Sequence, residues 1–205
     1  MKTRQALAPL ALAVLLVTGC AKPPAEQIEA AEKAVKEAQQ SGAATYSAQE
    51  YAKLEGTLAA LKKEVGDQDG KFALLRDYGK AEQLAASAKA DGERVKIEAA
   101  KKKEEAKIAA LQAQQVAQDA VKSTLDLVAK APVGKDRAAL EAIKNDAEAL
   151  KSSLNQVQIA LDKEDFPAAQ AQAKAIHDKS QAVSAEIQSA LAKVGKGKPS
   201  PSKKK

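Results

Sequence analysis

Aromatic side chains make up only 2% of this 205-residue chain, as two Phe, three Tyr and no Trp. Large rings supply much of the buried area of an ordinary globular core, so their scarcity argues against a conventional enzyme core. Cysteine occurs once, at Cys20, which excludes an intramolecular disulfide and any cysteine-rich metal site. Histidine also occurs once, at His177, the only ordinary acid–base group for neutral pH. No His-x-x-x-His, Glu-x-x-His or paired-histidine spacing is available for zinc, and no glycine-rich loop is present to cradle phosphate. The expectation is therefore a non-enzymatic protein with no catalytic residues, no metal site and no cofactor.

What the chain does have is alanine. The 45% hydrophobic content includes 47 Ala, about half of that class, and Ala contributes helix propensity more than buried area. With Lys, Glu, Gln and Leu making up most of the rest, this is the composition of long helices and coiled coils. The formal charge of +6 invites a nucleic-acid reading, but the excess sits at the ends. Lys2 and Arg4 lie in the first 19 residues, and six Lys with no acid lie in residues 193–205. The remaining body holds 25 bases (33 − 2 − 6) against 27 acids, so no nucleic-acid partner is expected.

The N-terminal stretch MKTRQALAPLALAVLLVTGC has a basic start, an apolar run from Ala6 to Val17 and small residues before Cys20. The apolar run is too short to read as a spanning helix and reads as a secretory signal, residues 1–19. Val17-Thr18-Gly19-Cys20 resembles a bacterial lipobox. That resemblance implies diacylation of the Cys20 thiol, cleavage before it and acylation of the new amino group, and more than one lipid chain is what stable anchoring requires. Ala21, rather than Asp, follows the cysteine, which by resemblance to enterobacterial lipoproteins implies export to the outer membrane, facing the periplasm.

Residues 20–25 form an anchor and spacer, with Pro23 and Pro24 able to start a helix but not to sit inside one. Beyond them apolar residues recur at alternating three and four spacing. Ile28, Ala31, Val35 and Ala38 form one stripe, ended by Ser41-Gly42; Tyr51, Leu54, Leu58, Leu61 and Val65 form the next, opened by a capping-box pattern of Ser47 with Glu50. Leu140, Ile143, Ala147, Leu150, Leu154, Val157 and Leu161 face Ala169, Ala173, Ile176, Ser180, Val183, Ile187, Ala190 and Val194 across a break at Lys163–Pro167, with Asp165 as N-cap. A break that short forces antiparallel packing. A second break falls at Arg76–Gly79.

From Asp77 no strong stop appears before Ala131-Pro132, so one helix of about 54 residues, about 80 Å long, is predicted. Its charged stretch Glu93–Lys107 offers the i,i+4 pairs Glu98/Lys102 and Lys101/Glu105 and reads as a solvated face. Ala31, Ala34-Val35-Lys36 and Leu54-Glu55 recur about 86 residues later as Ala117, Ala120-Val121-Lys122 and Leu140-Glu141, and the Asp77-Tyr78 region recurs at Asp165-Phe166. Two arrangements fit: two tandem three-helix units sharing one long helix, as in spectrin-type arrays, or one hairpin near each end of a bare rod. Either is all-α, with elongated antiparallel helical bundles over residues 26–105 and 106–194 and a Lys-rich tail, residues 195–205, expected to be disordered.

The runs AAEKAVKEAQQSGAATYSAQE (residues 30–50) and RDYGKAEQLAASAKAD (residues 76–91) resemble the domain-of-unknown-function family 4398 of Gram-negative envelope lipoproteins over about residues 25–105. The matching parts are the AExAVxxA helix, the Gly-Ala-x-x-Tyr turn at Gly42–Tyr46 and the DYxxAxxLAxxA start of a third helix; Ala48 stands where the family's pattern has a Pro shortly after the Tyr. The resemblance implies an anchored, periplasmic helical module and supplies no catalytic residue.

Three remaining features carry expectations. His177, Asp178 and Ser180 can be written as a triad, but neighbouring helical positions point apart, so His177 reads as a surface or boundary residue. Tyr46, Tyr51 and Tyr78 fall near helix ends of the first unit, either plugging a thin core or forming an aromatic patch for glycan stacking, which needs two exposed rings. The tail, ending at Lys205, is a solubilising end, a contact for anionic polymers or head groups, or a covalent link to peptidoglycan. The last rests on similarity to Braun-type lipoproteins, which are small, helical, lipid-anchored and end in Lys, and Lys205 is the candidate attachment point. The expected role is a structural, scaffold or adaptor protein of the bacterial cell envelope, held to the membrane through Cys20, with peptidoglycan or envelope proteins as candidate partners; the alternative is a peptidoglycan-binding or covalently attached tether.

Overall fold

A computed structural model describes residues 22–131 and 137–196. Residues 1–21, with Cys20 and the expected signal, and residues 197–205, with Lys205, lie outside the described residues, while Gly195 and Lys196, read as the start of the disordered tail, close the last helix instead. Within them the chain is all-α, in the order α1 (Ala25–Gln40), α2 (Ala43–Tyr46), α3 (Ala48–Asp69), a short 3-10 turn (Ala73–Leu75), α4 (Gly79–Lys130), α5 (Arg137–Asp162) and α6 (Phe166–Lys196). No strand occurs among the described residues. The chain divides into two compact units, each with three principal helices, and α4 contributes to both. The division falls at Val95/Lys96, ahead of the 105/106 division read from the sequence, and Ser41–Ala48 belongs with the second unit.

The first unit contains α1, α3 and the start of α4. Pro24 accepts from the Ile28 amide at 3.0 Å, so helix α1 begins directly behind the Pro pair. Ala31, Val35 and Ala38 of its expected stripe are buried together with Ala34, while Ile28 is half-buried. Helix α3 buries Tyr51, Leu54 and Leu61, and α4 answers with Ala81, Ala85, Ala88 and Val95. This seam spaces its residues by three and four, as a heptad does. The opposed pairs run in opposite senses: Lys80 meets Glu64 at 2.7 Å, and the Asp77 amide donates to Gln68 at 3.0 Å. Thus α3 and α4 are antiparallel. Lys62 of α3 meets Glu32 of α1 at 2.8 Å. A seam so rich in Ala works by close approach rather than by side-chain bulk. Gly92 of α4 shows this most sharply, because a β-carbon there would lie 2.8 Å from the Ala34 Cβ.

In the second unit, α4 buries Ala110, Ala117, Val121 and Val128 against Ile143, Ala147, Leu150, Val157 and Leu161 of α5 and against Phe166, Ala169, Ala173, Ile176, Val183 and Ile187 of α6. Among the described side chains these follow the expected stripes of α5 and α6, with Leu154 half-buried and Ala190 exposed; the side chains of Leu140 and Val194 lie outside that description. The turn between α5 and α6 is a Schellman motif, in which Glu164 donates to Leu161 O and Asp165 to Ala160 O, each at 2.9 Å. Asp165 then caps α6 through Oδ1, which accepts from the Ala168 amide at 3.2 Å. Pro167 sits in the first turn, where its missing amide costs no helical bond.

Ser47 departs from its expected role. It occupies the position before α3, but its hydroxyl is buried without a hydrogen-bond partner, so the capping box with Glu50 is not made through that oxygen. Ser47 also closes the one-turn helix α2, its amide donating to Ala43 O at 2.9 Å. Gly42, at φ 83°, stands between α1 and α2 in the left-handed conformation that most L-residues resist.

Candidate functional site

His177 lies half-buried on α6 with both ring nitrogens engaged, Nδ1 with Asp178 Oδ1 and Nε2 with Gln181 Nε2, each at 3.1 Å. Ser180 is fully buried and its hydroxyl has no partner. The three residues written as a triad are therefore not assembled into one: the histidine faces the rim and the serine faces the core. Beside Ser180 the α4–α6 crossing is polar. Thr124, fully buried, has its Oγ1 2.8 Å from Ser184 Oγ, 2.9 Å from Ala120 O and 3.1 Å from Ser180 O. The single Thr124 proton serves one of these three oxygens at a time, and either hydroxyl can be the donor between Thr124 and Ser184. Among the described residues no group of three or more His, Cys, Asp or Glu is placed to hold a metal ion.

The tyrosines do not form an exposed patch. Tyr51 and Tyr78 are buried in the first unit. Tyr46 belongs to the second, where it is half-buried against the core. The Tyr78 hydroxyl donates to the Asp69 carboxylate, and this bond pushes the phenol above its ordinary range, with burial adding to it. Burial raises Tyr51, with Glu55 beside it adding to the effect. The glycan-stacking patch fails because each ring fills a helix-end gap that Ala cannot fill.

Tyr46 instead completes a small latch in the second unit. Its hydroxyl donates to the Glu164 carbonyl at 3.2 Å, and the Glu164 carboxylate meets Lys103 Nζ at 2.6 Å. Burial raises the Tyr46 phenol above its usual value, partly offset by Lys103. The bond to Glu164 raises the Lys103 ammonium, and the same bond holds the Glu164 carboxyl below its ordinary range. Glu164 itself stands at φ 57°, the left-handed position that Gly usually takes in a Schellman turn. Ser41, Ala100, Lys103, Glu104, Lys107, Glu164 and Phe166 line a cleft of about 260 Å³ here. Of the four charged groups in this cleft, Lys103 and Glu164 are paired with each other as a clasp, and Glu104 and Lys107 stand beside them.

One surface lay hidden in the sequence. In the turn from α3 to α4, Phe72, Leu74 and Leu75 are 72%, 70% and 71% exposed. The run Lys71-Phe-Ala-Leu-Leu-Arg76 was its only sequence signal, an apolar cluster outside any heptad stripe. The turn is braced from within: Arg76 Nη2 donates to Asp69 O at 2.8 Å and Nε to Lys71 O at 3.0 Å, which satisfies carbonyls at the end of α3.

Within the charged stretch of α4, Lys102 meets Glu98 at 2.6 Å and Lys101 meets Glu105 at 3.8 Å, as the i,i+4 spacing predicts. The Lys101–Glu105 pair is exposed and the Lys102–Glu98 pair half-buried, and each stabilises the helix by only a few tenths of a kcal/mol. Among the described residues no helix is long and apolar enough to cross a membrane. No family model matches the chain, and neither a curated protein nor a solved structure does.

Proposed function

We propose that this chain is a non-enzymatic, lipid-anchored structural, scaffold or adaptor protein of the bacterial cell envelope, held at the outer membrane and facing the periplasm. The observation that carries the reading is the succession of a basic start, a short apolar run and Val17-Thr18-Gly19-Cys20, with the first helix opening at Ala25. An acylated Cys20 is tied to α1 by a spacer of a few residues, and the helices then present charged and polar faces to the periplasm. On this reading the protein needs no catalytic residue, metal or cofactor. The resemblance of residues 30–50 and 76–91 to the envelope-lipoprotein family 4398 accords with this reading, although no family model matches the chain.

Changing Cys20 to Ala tests the anchor. The expected outcome is an unlipidated precursor that leaves the membrane fraction on washing, with mass spectrometry finding no acylated N-terminal peptide. A mature, acylated protein in that fraction despite the substitution would overturn the reading. A second reading, a covalent tether to peptidoglycan through Lys205, rests on the tail of six Lys without an acid in residues 193–205. Detergent-boiled sacculi carrying a peptide ending at Lys205 joined to a muropeptide would support it, and bare sacculi would leave the lipid-anchored adaptor.

A further inference from the structure

The turn between α3 and α4 exposes three large apolar side chains within four residues, an unusual cost for a surface loop unless something covers them. Its position in the first unit identifies the cover. Helix α3 runs antiparallel to α4, while α1 runs in the same sense as α4, since Ala34 lies against Gly92 and Ser41, just past α1, lines a cleft with Ala100 and Lys103; the C-terminal end of α3 therefore lies at the end of the unit where α1 begins. Side-chain contacts agree: Ala34, nine residues into α1, lies against Gly92, thirteen residues into α4, so the starts of both helices are at nearly the same level. Cys20 precedes Ala25 by five residues, a reach of at most about 18 Å. On the anchor reading the lipids are therefore attached within that reach of the end of the unit that carries the Phe72–Leu75 turn.

We infer that the Phe72, Leu74 and Leu75 tip inserts into the interface of the phospholipid bilayer that holds the Cys20 lipids, giving the first unit a second membrane contact. The inference rests on the anchor reading for its occupant and on the topology for its geometry. The acids nearby do not oppose it: Asp67 pairs with Lys63 at 2.6 Å, Asp69 accepts from the Tyr78 hydroxyl, and Asp77 Oδ1 accepts from the Gly79 amide at 2.9 Å. Lys71, exposed, and Arg76, half-buried, flank the apolar residues in sequence and set positive charge beside them, the sign that phosphate head groups attract. A lipid anchor alone leaves a protein free to swivel, whereas a second, apolar contact sets the direction in which α1, α3 and the start of α4 leave the membrane.

The test uses the full, processed chain in phosphatidylcholine vesicles. Acylation blocks Cys20, so a Leu74→Cys substitution offers one free thiol for an environment-sensitive fluorophore, and Ala59→Cys, exposed in the middle of α3, serves as control. The expected result is flotation of both proteins with the vesicles, and quenching of the Leu74 label by lipids spin-labelled near the head group several-fold stronger than that of the Ala59 label. Flotation with equal, weak quenching at both sites overturns the tip contact and leaves the anchor standing. A shifted Leu74 emission without lipid quenching means that a second copy or a protein partner covers the tip, and also overturns it. If the parent chain neither floats nor resists labelling at Cys20, the anchor reading falls. Leu74→Cys on a Cys20→Ser background then decides the tip alone: quenching by added vesicles retains it and its absence overturns it.

Discussion

Gly92 of α4 faces Ala34 of α1 at a distance no other residue could keep: an added β-carbon would lie 2.8 Å from the Ala34 Cβ and 2.9 Å from its carbonyl carbon. By helix propensity alone Gly92 is a defect, weaker than Ala by about 1 kcal/mol. Packing reverses that sign. Gly92→Ala is expected to destabilise the first unit by about 1–3 kcal/mol through overpacking. Gly56→Ala in α3, with nothing within 4 Å of the new carbon, is expected to stabilise it by up to about 1 kcal/mol. Thermal unfolding followed by circular dichroism checks both, and two substitutions that shift the melting temperature the same way would contradict the close α1–α4 contact.

Leu150 and its neighbour Lys151 test the register of the second unit. Leu150 is 2% exposed in the core of α5, whereas Lys151 is exposed. Leu150→Asp buries an unpaired charge and is expected to cost about 3–5 kcal/mol, while Lys151→Asp stays within about 0.5 kcal/mol. Equal shifts in chemical denaturation would contradict the heptad assignment.

At the polar crossing of α4 and α6, two buried hydroxyls are expected to behave oppositely. Thr124→Val removes a hydroxyl held by Ser184 and a backbone carbonyl and should destabilise by about 1 kcal/mol. Ser180→Ala removes a buried hydroxyl without a partner and should leave stability unchanged or raise it by about 1 kcal/mol. Urea titration of the two variants gives the comparison directly, and a loss for Ser180→Ala as large as that for Thr124→Val would mean that the serine is satisfied.

Glu164 joins two opposing terms, a left-handed backbone that favours Gly and a carboxylate paired with Lys103. Glu164→Gly relieves the first and loses the second; Glu164→Gln keeps the first and loses the second. In about 1 M salt, where the Debye length falls to about 3 Å, Glu164→Gly should melt a few degrees above the parent and Glu164→Gln should match it. At low salt Glu164→Gln should melt slightly below the parent.

The pH dependence of that pair follows from its directions. The Glu164 carboxyl is lowered, so its contribution is complete above the unfolded value near 4.5 and is lost as pH falls through the lower folded value. The Lys103 ammonium is raised, so its contribution is complete below the unfolded value near 10.5 and is lost as pH rises through the higher folded one. The difference in melting temperature between parent and Glu164→Gln should therefore be flat between those limits and shrink outside them. A difference centred on neutral pH would point to another group.

Much of the fold was legible in the residues themselves. The three-and-four spacing of Tyr51, Leu54 and Leu61, and of Ile143, Ala147, Leu150 and Val157, names the buried faces, because helical period alone decides which side chains share a face. The Asp165 cap and the long run from Gly79 to Lys130 follow from equally local rules, a short polar acceptor before a helix and the lack of a breaker within one. The lipidation signal proposed at Val17–Cys20 likewise rests on residue order alone.

Partnership was decided only in three dimensions. Nothing local shows that Gly92 meets Ala34, that Tyr46 belongs with Glu164 across 118 positions of sequence, that the Ser47 hydroxyl is left without an acceptor, or that Phe72, Leu74 and Leu75 stand outside the core. An Ala-rich heptad offers many nearly equal pairings, since a methyl group fits almost any seam, and the choice among them falls to the few positions where a glycine, a ring or a turn residue fits only one neighbour.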